Sequence, residues 1–321
     1  MYAPPFDITS KILNLVAQIT ERVGVMTASL QQPIPTPTLR KENRIKTIQS
    51  SLAIENNSLT IDQVTAIVEG KHVLGAPNEI QEVKNAIDAY NLMLQLDPYK
   101  QKDLLKAHKA MMTSLIGGAG HFRGSGVGVF DATHCVHMAP PASRVNELMN
   151  DLFEWVKKTD VHPLVSSCVF HYEFEFIHPF TDGNGRMGRM WQTLLLAQWN
   201  PLFYWVPVES IVKEHQQDYY ATINQCDNEG QSTLFIEFML QCLLDSVLDM
   251  STEKSTEKST EKLLRIIREN PNITIAEMCK AIGLSDKGIR NNLNKLKQQG
   301  VLQRIGPVNG GYWKVLVSSK N

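Results

Sequence analysis

Three shortages narrow the reading of this sequence before any motif is considered. Charge of one sign is not in excess: 32 Lys+Arg stand against 33 Asp+Glu, a net charge of −1. Taken over the whole chain, that balance argues against nucleic acid as a partner. Cysteine is scarce and unpaired. The five residues Cys135, Cys168, Cys226, Cys242 and Cys279 are odd in number, widely spread and free of any CxxC pair. A disulfide framework and a cysteine zinc site are thereby excluded, and reduced thiols in a cytosol are expected. Long apolar runs are missing too. The most apolar stretch, Met190 to Val208, is broken by Gln192, Gln198, Asn200, Pro201 and Pro207. A buried helix followed by a loop fits it better than a membrane span. The opening Met1-Tyr-Ala-Pro-Pro has neither the basic nor the apolar region of a secretion signal. The expectation is a soluble, cytoplasmic chain with no membrane association.

What is present is length and apolar content. With 321 residues, 43% of them hydrophobic, the chain is long enough for two or three domains with a large core. Composition shifts once, at residues 251–262, where the tetrapeptide STEK occurs three times without an apolar side chain. Such a segment is either a solvated helix or a flexible tether, and it is taken as the domain boundary.

Before the repeat, helical periodicity dominates. Ile12, Leu13, Val16, Ile19 and Val23 recur at three- and four-residue steps, as do Ile80, Val83, Ile87 and Tyr90. Leu148, Leu152, Trp155 and Val156 mark another amphipathic helix. Leu164–Phe176 and Met187–Trp199 are apolar on most sides, as central helices are. Thr60 and Gln63 form a capping-box signature opening a helix that Gly70 stops. The exception is the glycine-rich stretch Gly117–Met138, whose alternating Val127 and Val129 predict a short hairpin or flap. After the repeat, helices around Leu263–Ile267, Thr274–Ile282 and from Ser285, then two short strands flanking Gly306–Gly311, give a winged helix-turn-helix layout. The fold class expected is mainly α, with a small β-hairpin flap and a winged helix-turn-helix at the C-terminal end. The segments are 1–100, 101–250, the 251–262 linker and 263–321.

The richest stretch chemically is His178-Pro-Phe-Thr-Asp-Gly-Asn-Gly-Arg-Met-Gly-Arg189. A His and an acid precede a Gly183-Asn184-Gly185 turn that opens a long helix. Glycines let a phosphate approach the backbone, and the first N–H groups of a helix are unsatisfied donors at the positive end of its dipole. Arg186 and Arg189, at i and i+3, are placed to grip further phosphates. Asp182 is a hard oxygen ligand suited to Mg²⁺ on a polyphosphate. His178 is the one group here that takes a proton near neutral pH. A helix dipole disfavours cations in a first turn, so the cluster has no obvious packing rationale.

This stretch matches the HPFx(D/E)GNGRxxR motif, and the chain resembles the Fic domain family from roughly Leu104 to Leu248, more loosely from Leu39. The resemblance implies a helical Fic-type core that transfers AMP from ATP to a Ser, Thr or Tyr hydroxyl of a protein and releases pyrophosphate. It implies His178 as the base, Asp182 as the Mg²⁺ ligand, Gly183, Asn184, Gly185 and Gly188 in the phosphate-binding turn, and Arg186 and Arg189 at the β/γ end. It also makes Gly126, Val127, Gly128 and Val129 the flap that pins a target segment, and Tyr219, Tyr220 and Asn228 adenosine contacts, with a core-packing role for one of the two tyrosines an equal alternative. One residue more than the family spacing separates the two adenosine elements. His134 and His137 around Cys135 lack a fourth metal ligand nearby and are expected to face solvent.

Upstream, Ser51-Leu-Ala-Ile-Glu55-Asn56 matches the [S/T]xxxE[G/N] motif that the family uses as an inhibitory helix, here at about 42–56. Ser51 and Glu55 lie at i and i+4, so both sit on one helix face, and a carboxylate presented to Arg189 would occupy the γ-phosphate clamp. A second role for Glu55, orienting water to remove AMP from a modified protein, follows from the same resemblance. Self-modification and homodimers are further implications.

The near-neutral total hides an asymmetry. Residues 261–321 hold eleven basic and four acidic side chains, a balance of +7, which leaves −8 upstream. Lys287, Arg290, Asn291, Asn294 and Lys295 on the third helix suit phosphate and base edges, so residues 263–321 are a candidate DNA-binding module or a protein-interaction module. Two further readings stand beside the AMP transferase: a DNA-binding regulator with a silent Fic-like domain, and a Fic enzyme using another nucleotide or phosphodiester donor.

Overall fold

The computed structural model describes residues 2–28, 36–130, 135–307 and 310–316. The chain divides into two compact units, Met1–Val247 and Leu248–Asn321.

The first unit is helical. Ser10–Ala28 (α1) and Pro37–Ile54 (α2) are followed by Ile61–Val68 (α3), Pro77–Leu92 (α4) and Gln101–Met112 (α5). Then come Val145–Lys158 (α6), Pro163–Ile177 (α7), Asn184–Trp199 (α8), Val208–Glu214 (α9) and Gln216–Glu229 (α10). Thr233–Glu269 (α11) begins in this unit. Most of these helices follow local chemistry. Thr60 and Gln63 cap α3 reciprocally, and Gly70, at φ +73°, ends the segment. Pro37, Pro77 and Pro163 open helices at the first turn, where a missing N–H costs nothing.

The core sits on α7 and α8, which pack against each other along their length. Both are buried almost throughout, from Leu164 to Phe174 and from Arg186 to Ala197. Their uniform apolarity is thus central placement. The α1 stripe differs from expectation: Ile12, Leu15, Ile19, Val23 and Met26 are buried, while Leu13 is 59% exposed. Leu13 and Leu15 both satisfy a three-or-four spacing with their neighbours, and only the packing surface selects between them.

The glycine-rich stretch folds as expected into a hairpin. Gly128–Phe130 (β1) pairs antiparallel with Cys135–Met138 (β2), Val129 opposite His137, with a bulge between Val129 and Phe130. Gly126 and Val127 precede the strand. His134 lies outside the described residues.

In the second unit, α11 runs through the STEK repeat to Glu269, so that segment is helix and not tether. Ile275–Ile282 (α12), Asp286–Gln298 (α13), Leu302–Ile305 (β3) and Tyr312–Val315 (β4) complete three helices and a hairpin. Leu263, Ile267, Met278, Ile289, Leu293 and Trp313 form its core. The unit division falls at Val247/Leu248, within α11, slightly before the repeat.

Candidate active site

The site is built where α7 ends and α8 begins. His178 terminates α7 in the left-handed region, at φ 49° and ψ 60°. Its Nδ1 lies 3.3 Å from the Glu175 carbonyl oxygen. A carbonyl only accepts, so in that bond Nδ1 donates and Nε2 carries the lone pair. The ring is half-buried at the mouth of the turn.

Gly183 caps α8 at φ +83°, and a side chain there would place its Cβ 2.7 Å from Met112 Sδ. Only glycine meets both conditions. Gly185 and Gly188 are demanded by proximity. A Cβ on Gly185 would collide with the Glu55 carboxylate and sit 2.9 Å from Arg189 Nη1; one on Gly188 would lie 2.9 Å from His171 Cδ2. Asn184 is spent internally. Its Oδ1 accepts from Phe180 N at 2.8 Å and its Nδ2 donates to Phe180 O at 3.0 Å, fastening the turn across four residues. The side chain shapes the loop, leaving the backbone N–H groups of the first turn as the anion donors.

Two buried residues that no motif flagged hold this loop from behind. His108 Nδ1 accepts from Gly120 N at 2.9 Å, so its Nε2 donates to the Asp182 carbonyl at 3.0 Å. Its ring stacks on Phe180 with centroids 3.6 Å apart, and burial lowers its pKa to about 4. Arg123 is more demanding. It donates to the carbonyls of Ile177, His178, Ser125 and Pro140, at distances from 2.5 to 3.2 Å. Ser125 and Pro140 flank the hairpin, so one planar guanidinium ties both ends of the flap to the His178 loop. An isolated arginine in a glycine-rich stretch gave no periodic or spacing signal. Burial lowers its pKa, yet five donors fixed in a fork keep it satisfied.

The arginines occupy the first turns of α8. Arg186 reaches Asp182 Oδ1 at 3.1 Å and Glu82 at 3.6 Å, yet its Nε and Nη1 are buried without a hydrogen-bond partner. Arg189 is buried and receives the inhibitory-motif residues: Nη2 meets Glu55 Oε1 at 2.7 Å and Ser51 O at 3.0 Å, and Nε meets Ser51 Oγ at 3.2 Å. Its Nη1 has no hydrogen-bond partner among the described residues. Burial opposes the charge on Arg189, but Glu55 outweighs it and holds the guanidinium above its usual pKa. Asp182 is 57% exposed, with Oδ1 also accepting from Gly183 N.

The end of α2 is held by donors from elsewhere. Its last carbonyls, orphans in any helix, accept from Lys213 Nζ at Ala53, and from Gln216 Nε2 and the Tyr220 hydroxyl at Ile54. Glu55 is thereby set at the helix C-cap.

The adenosine expectation divides. Tyr219 is 1% exposed and its hydroxyl bonds His171 Nε2 at 3.1 Å, so it belongs to the core and not to a ligand surface. Adjacent residues on a helix point about 100° apart, which is why Tyr220 emerges, 44% exposed, beside the end of α2. Asn228 is exposed and bonded to Asn224, on the same helix.

These features agree with known proteins. Residues 96–196 match the model of the Fic/DOC family, and residues 256–303 that of a winged helix-turn-helix DNA-binding family. Protein adenylyltransferase Fic of Nematostella vectensis is 30% identical over 214 residues, 63% of this chain and 47% of that protein. Its counterpart in Aedes aegypti is also 30% identical, over 63% of this chain and 40% of that protein. The chain thus spans about half, or less, of the curated relatives it matches. Fic-1 from C. elegans shares the fold, with a TM-score of 0.63 at 20% identity over 77% of this chain and 73% of that one. A Fic family protein from Desulfovibrio desulfuricans G20 is 44% identical, with a TM-score of 0.76, and the match covers all of both chains. With that full-length likeness joined to the HPFTDGNGRMGR turn, the chain belongs to the Fic family.

Proposed function

We propose that the chain is a protein adenylyltransferase, moving AMP from ATP to a Ser, Thr or Tyr hydroxyl of a protein, held in check by Glu55. The observation that carries this reading is that Arg186 Nε and Arg189 Nη1, around the N-terminus of α8, are buried with no hydrogen-bond partner among the described residues. Buried guanidinium N–H groups without acceptors are costly, and phosphate oxygens are the acceptors that fit them. The name of the Nematostella and Aedes relatives supports the same activity.

In the proposed reaction the target hydroxyl oxygen attacks the α-phosphorus, and the bond from that phosphorus to the β-bridging oxygen breaks. The hydroxyl proton passes to Nε2 of His178, the nitrogen that carries the lone pair when Nδ1 donates to the Glu175 carbonyl. Arg186, Arg189 and the amides of Gly183–Gly185 stabilise charge on the phosphates, the main catalytic task in such a transfer. The exposed Asp182 carboxylate fits Mg²⁺, a hard cation that takes one or two carboxylates and completes its shell from phosphates and water. When bound, that ion would neutralise charge on the phosphates. Tyr220 and Asn228 remain the adenosine contacts in this reading. The flap, β1 and β2, would align the target segment by main-chain pairing.

Glu55 takes one face of the clamp intended for the γ-phosphate, so ATP would enter without its productive arrangement. Intact mass spectrometry of Glu55→Gly after incubation with ATP and Mg²⁺ tests the activity. A gain of one AMP supports it, and loss of that gain on substituting UTP, GTP or CTP fixes the nucleotide. An unchanged mass in the presence of competent target would overturn it. Cytoplasmic placement and homodimers are carried by the same reading.

The second unit is proposed to bind DNA through α13. Lys287, Arg290, Asn291, Asn294 and Lys295 are all exposed on it, although Arg290 is paired with Asp286 at 2.5 Å. A gel shift that collapses with modest salt tests this, and no shift at low salt would exclude it.

A further inference from the structure

A groove of about 370 Å³ lies between α2, the end of α3, α4 and the turn at Pro201–Trp205, within the first unit. Its cationic wall is Arg40, Lys41 and Arg44, its aromatic wall is Trp205, and Val68 and Ile87 are among its aliphatic residues. Among the described residues, none lining it is an aspartate or glutamate.

The cations are placed against local electrostatics. Arg40 falls in the first turn of α2, at the positive end of its dipole, where there is no acid, and Lys41 and Arg44 follow it along the helix. The Arg40 and Arg44 guanidinium groups both stand over the Trp205 ring, at 5.3 and 5.0 Å from its centroid, and Arg44 also faces Tyr90 at 5.0 Å. A guanidinium over a ring keeps its donors free along its edge. Lys41 is answered by Glu69 at 2.8 Å, outside the lining, and Arg44 feels the buried Glu209. Arg40 Nε is buried without a hydrogen-bond partner among the described residues. The volume falls in the range of small-molecule pockets, which are largely apolar with a few fixed polar groups.

We propose that this groove is a binding site for a small amphipathic anion: an aromatic body seated against Trp205, Val68 and Ile87, with one sulfonate, carboxylate or phosphate on Arg40. The site is separate from the His178 turn and uses none of the residues assigned there. Charge complementarity selects an anion, and the aliphatic and aromatic lining requires an apolar body.

The probe is anilinonaphthalene sulfonate, titrated by fluorescence against the full chain, with neutral phenylnaphthylamine as the uncharged counterpart. Saturable binding of one sulfonate per chain is expected, with much weaker binding of the neutral compound. Arg40→Gln should weaken the sulfonate about tenfold or more, as for a lost charge-assisted hydrogen bond. Val68→Trp, which fills the groove and keeps every cation, should abolish binding, and thermal melts verify that each variant is folded. Equal binding of the neutral compound, or indifference to both substitutions, would overturn the proposal. Displacement of the probe by inorganic phosphate at similar concentration would show that no apolar body is required and would overturn it as well.

Discussion

Glu55 and Arg189, 134 residues apart, meet at 2.7 Å in a pair whose two members are unequally buried. The arginine side chain is 2% exposed and the carboxylate 31%. The scaffold therefore commits a cation to the interior, while its counter-ion sits at the rim on the last turn of α2. Removing the carboxylate leaves a buried charge in need of an anion, and breaking such a pair from one side is ordinarily costly. In the proposed reaction the γ-phosphate of ATP takes that place.

The grip on α2 sets how firmly the carboxylate is presented. Ser51→Ala removes the Oγ acceptor of Arg189 Nε, and Lys213→Ala removes the donor to Ala53 O. Each bond is worth about 1 kcal/mol, so each variant should raise basal AMP incorporation about fivefold while leaving Glu55 in place. Labelled-ATP incorporation measures it, and rates equal to the unaltered chain would separate the helix end from the brake.

Arg123→Lys keeps the charge and loses the fork. A lysine cannot reach the carbonyls of Ile177, His178, Ser125 and Pro140 together, so two or more buried or part-buried acceptors lose their donor. A loss of about 2–3 kcal/mol in a denaturant melt is expected. The activity of a Glu55→Gly background should fall with it, through both the flap and the His178 loop. An unchanged melt would show that the fork is dispensable.

Much of this site was legible because its chemistry is sequential: His178, Asp182, Arg186 and Arg189 lie within one turn and one helix start. Ser51 and Glu55 were legible through the resemblance of Ser51–Asn56 to the family's inhibitory motif, with their i, i+4 spacing placing both on one helix face. Arg123 and His108 were not, since their role is to satisfy carbonyls and amides that only the fold brings near. Which of Tyr219 and Tyr220 belongs to the core stayed open in the sequence, because two adjacent tyrosines cannot be assigned to core or surface without the packing partner, here His171. The helical architecture and the terminal hairpin followed from periodicity and capping. The buried stripe of α1 and the helicity of the STEK segment depended on neighbours and continuity that spacing does not reveal.

Acidity should act on the N-terminal segment through Glu173. Its carboxyl is buried, bonded to the Tyr2 hydroxyl and close to Asp227, and burial raises its pKa from 4.5 to about 7. The folded chain then holds a proton that the unfolded chain has released. The contribution of Glu173 is full below pH 4.5 and is lost as pH rises through 7. Buried His171 and His108, lowered to about 3 and about 4, act with the opposite sign below pH 6.5. The difference between the unaltered chain and Glu173→Gln isolates the carboxyl. Melting temperatures from pH 5 to 8 should show the variant gaining relative stability as pH rises, and a constant difference would contradict this.

The most direct test of the central claim is AMP incorporation from labelled ATP and Mg²⁺, measured side by side in three proteins. Glu55→Gly should incorporate label at least about tenfold faster than the unaltered chain, as when a charge-assisted contact is removed from the clamp. Glu55→Gly with His178→Ala should fall to background. Equal incorporation with and without Glu55, or label that persists without His178, would contradict a His178-dependent AMP transfer held back at Arg189.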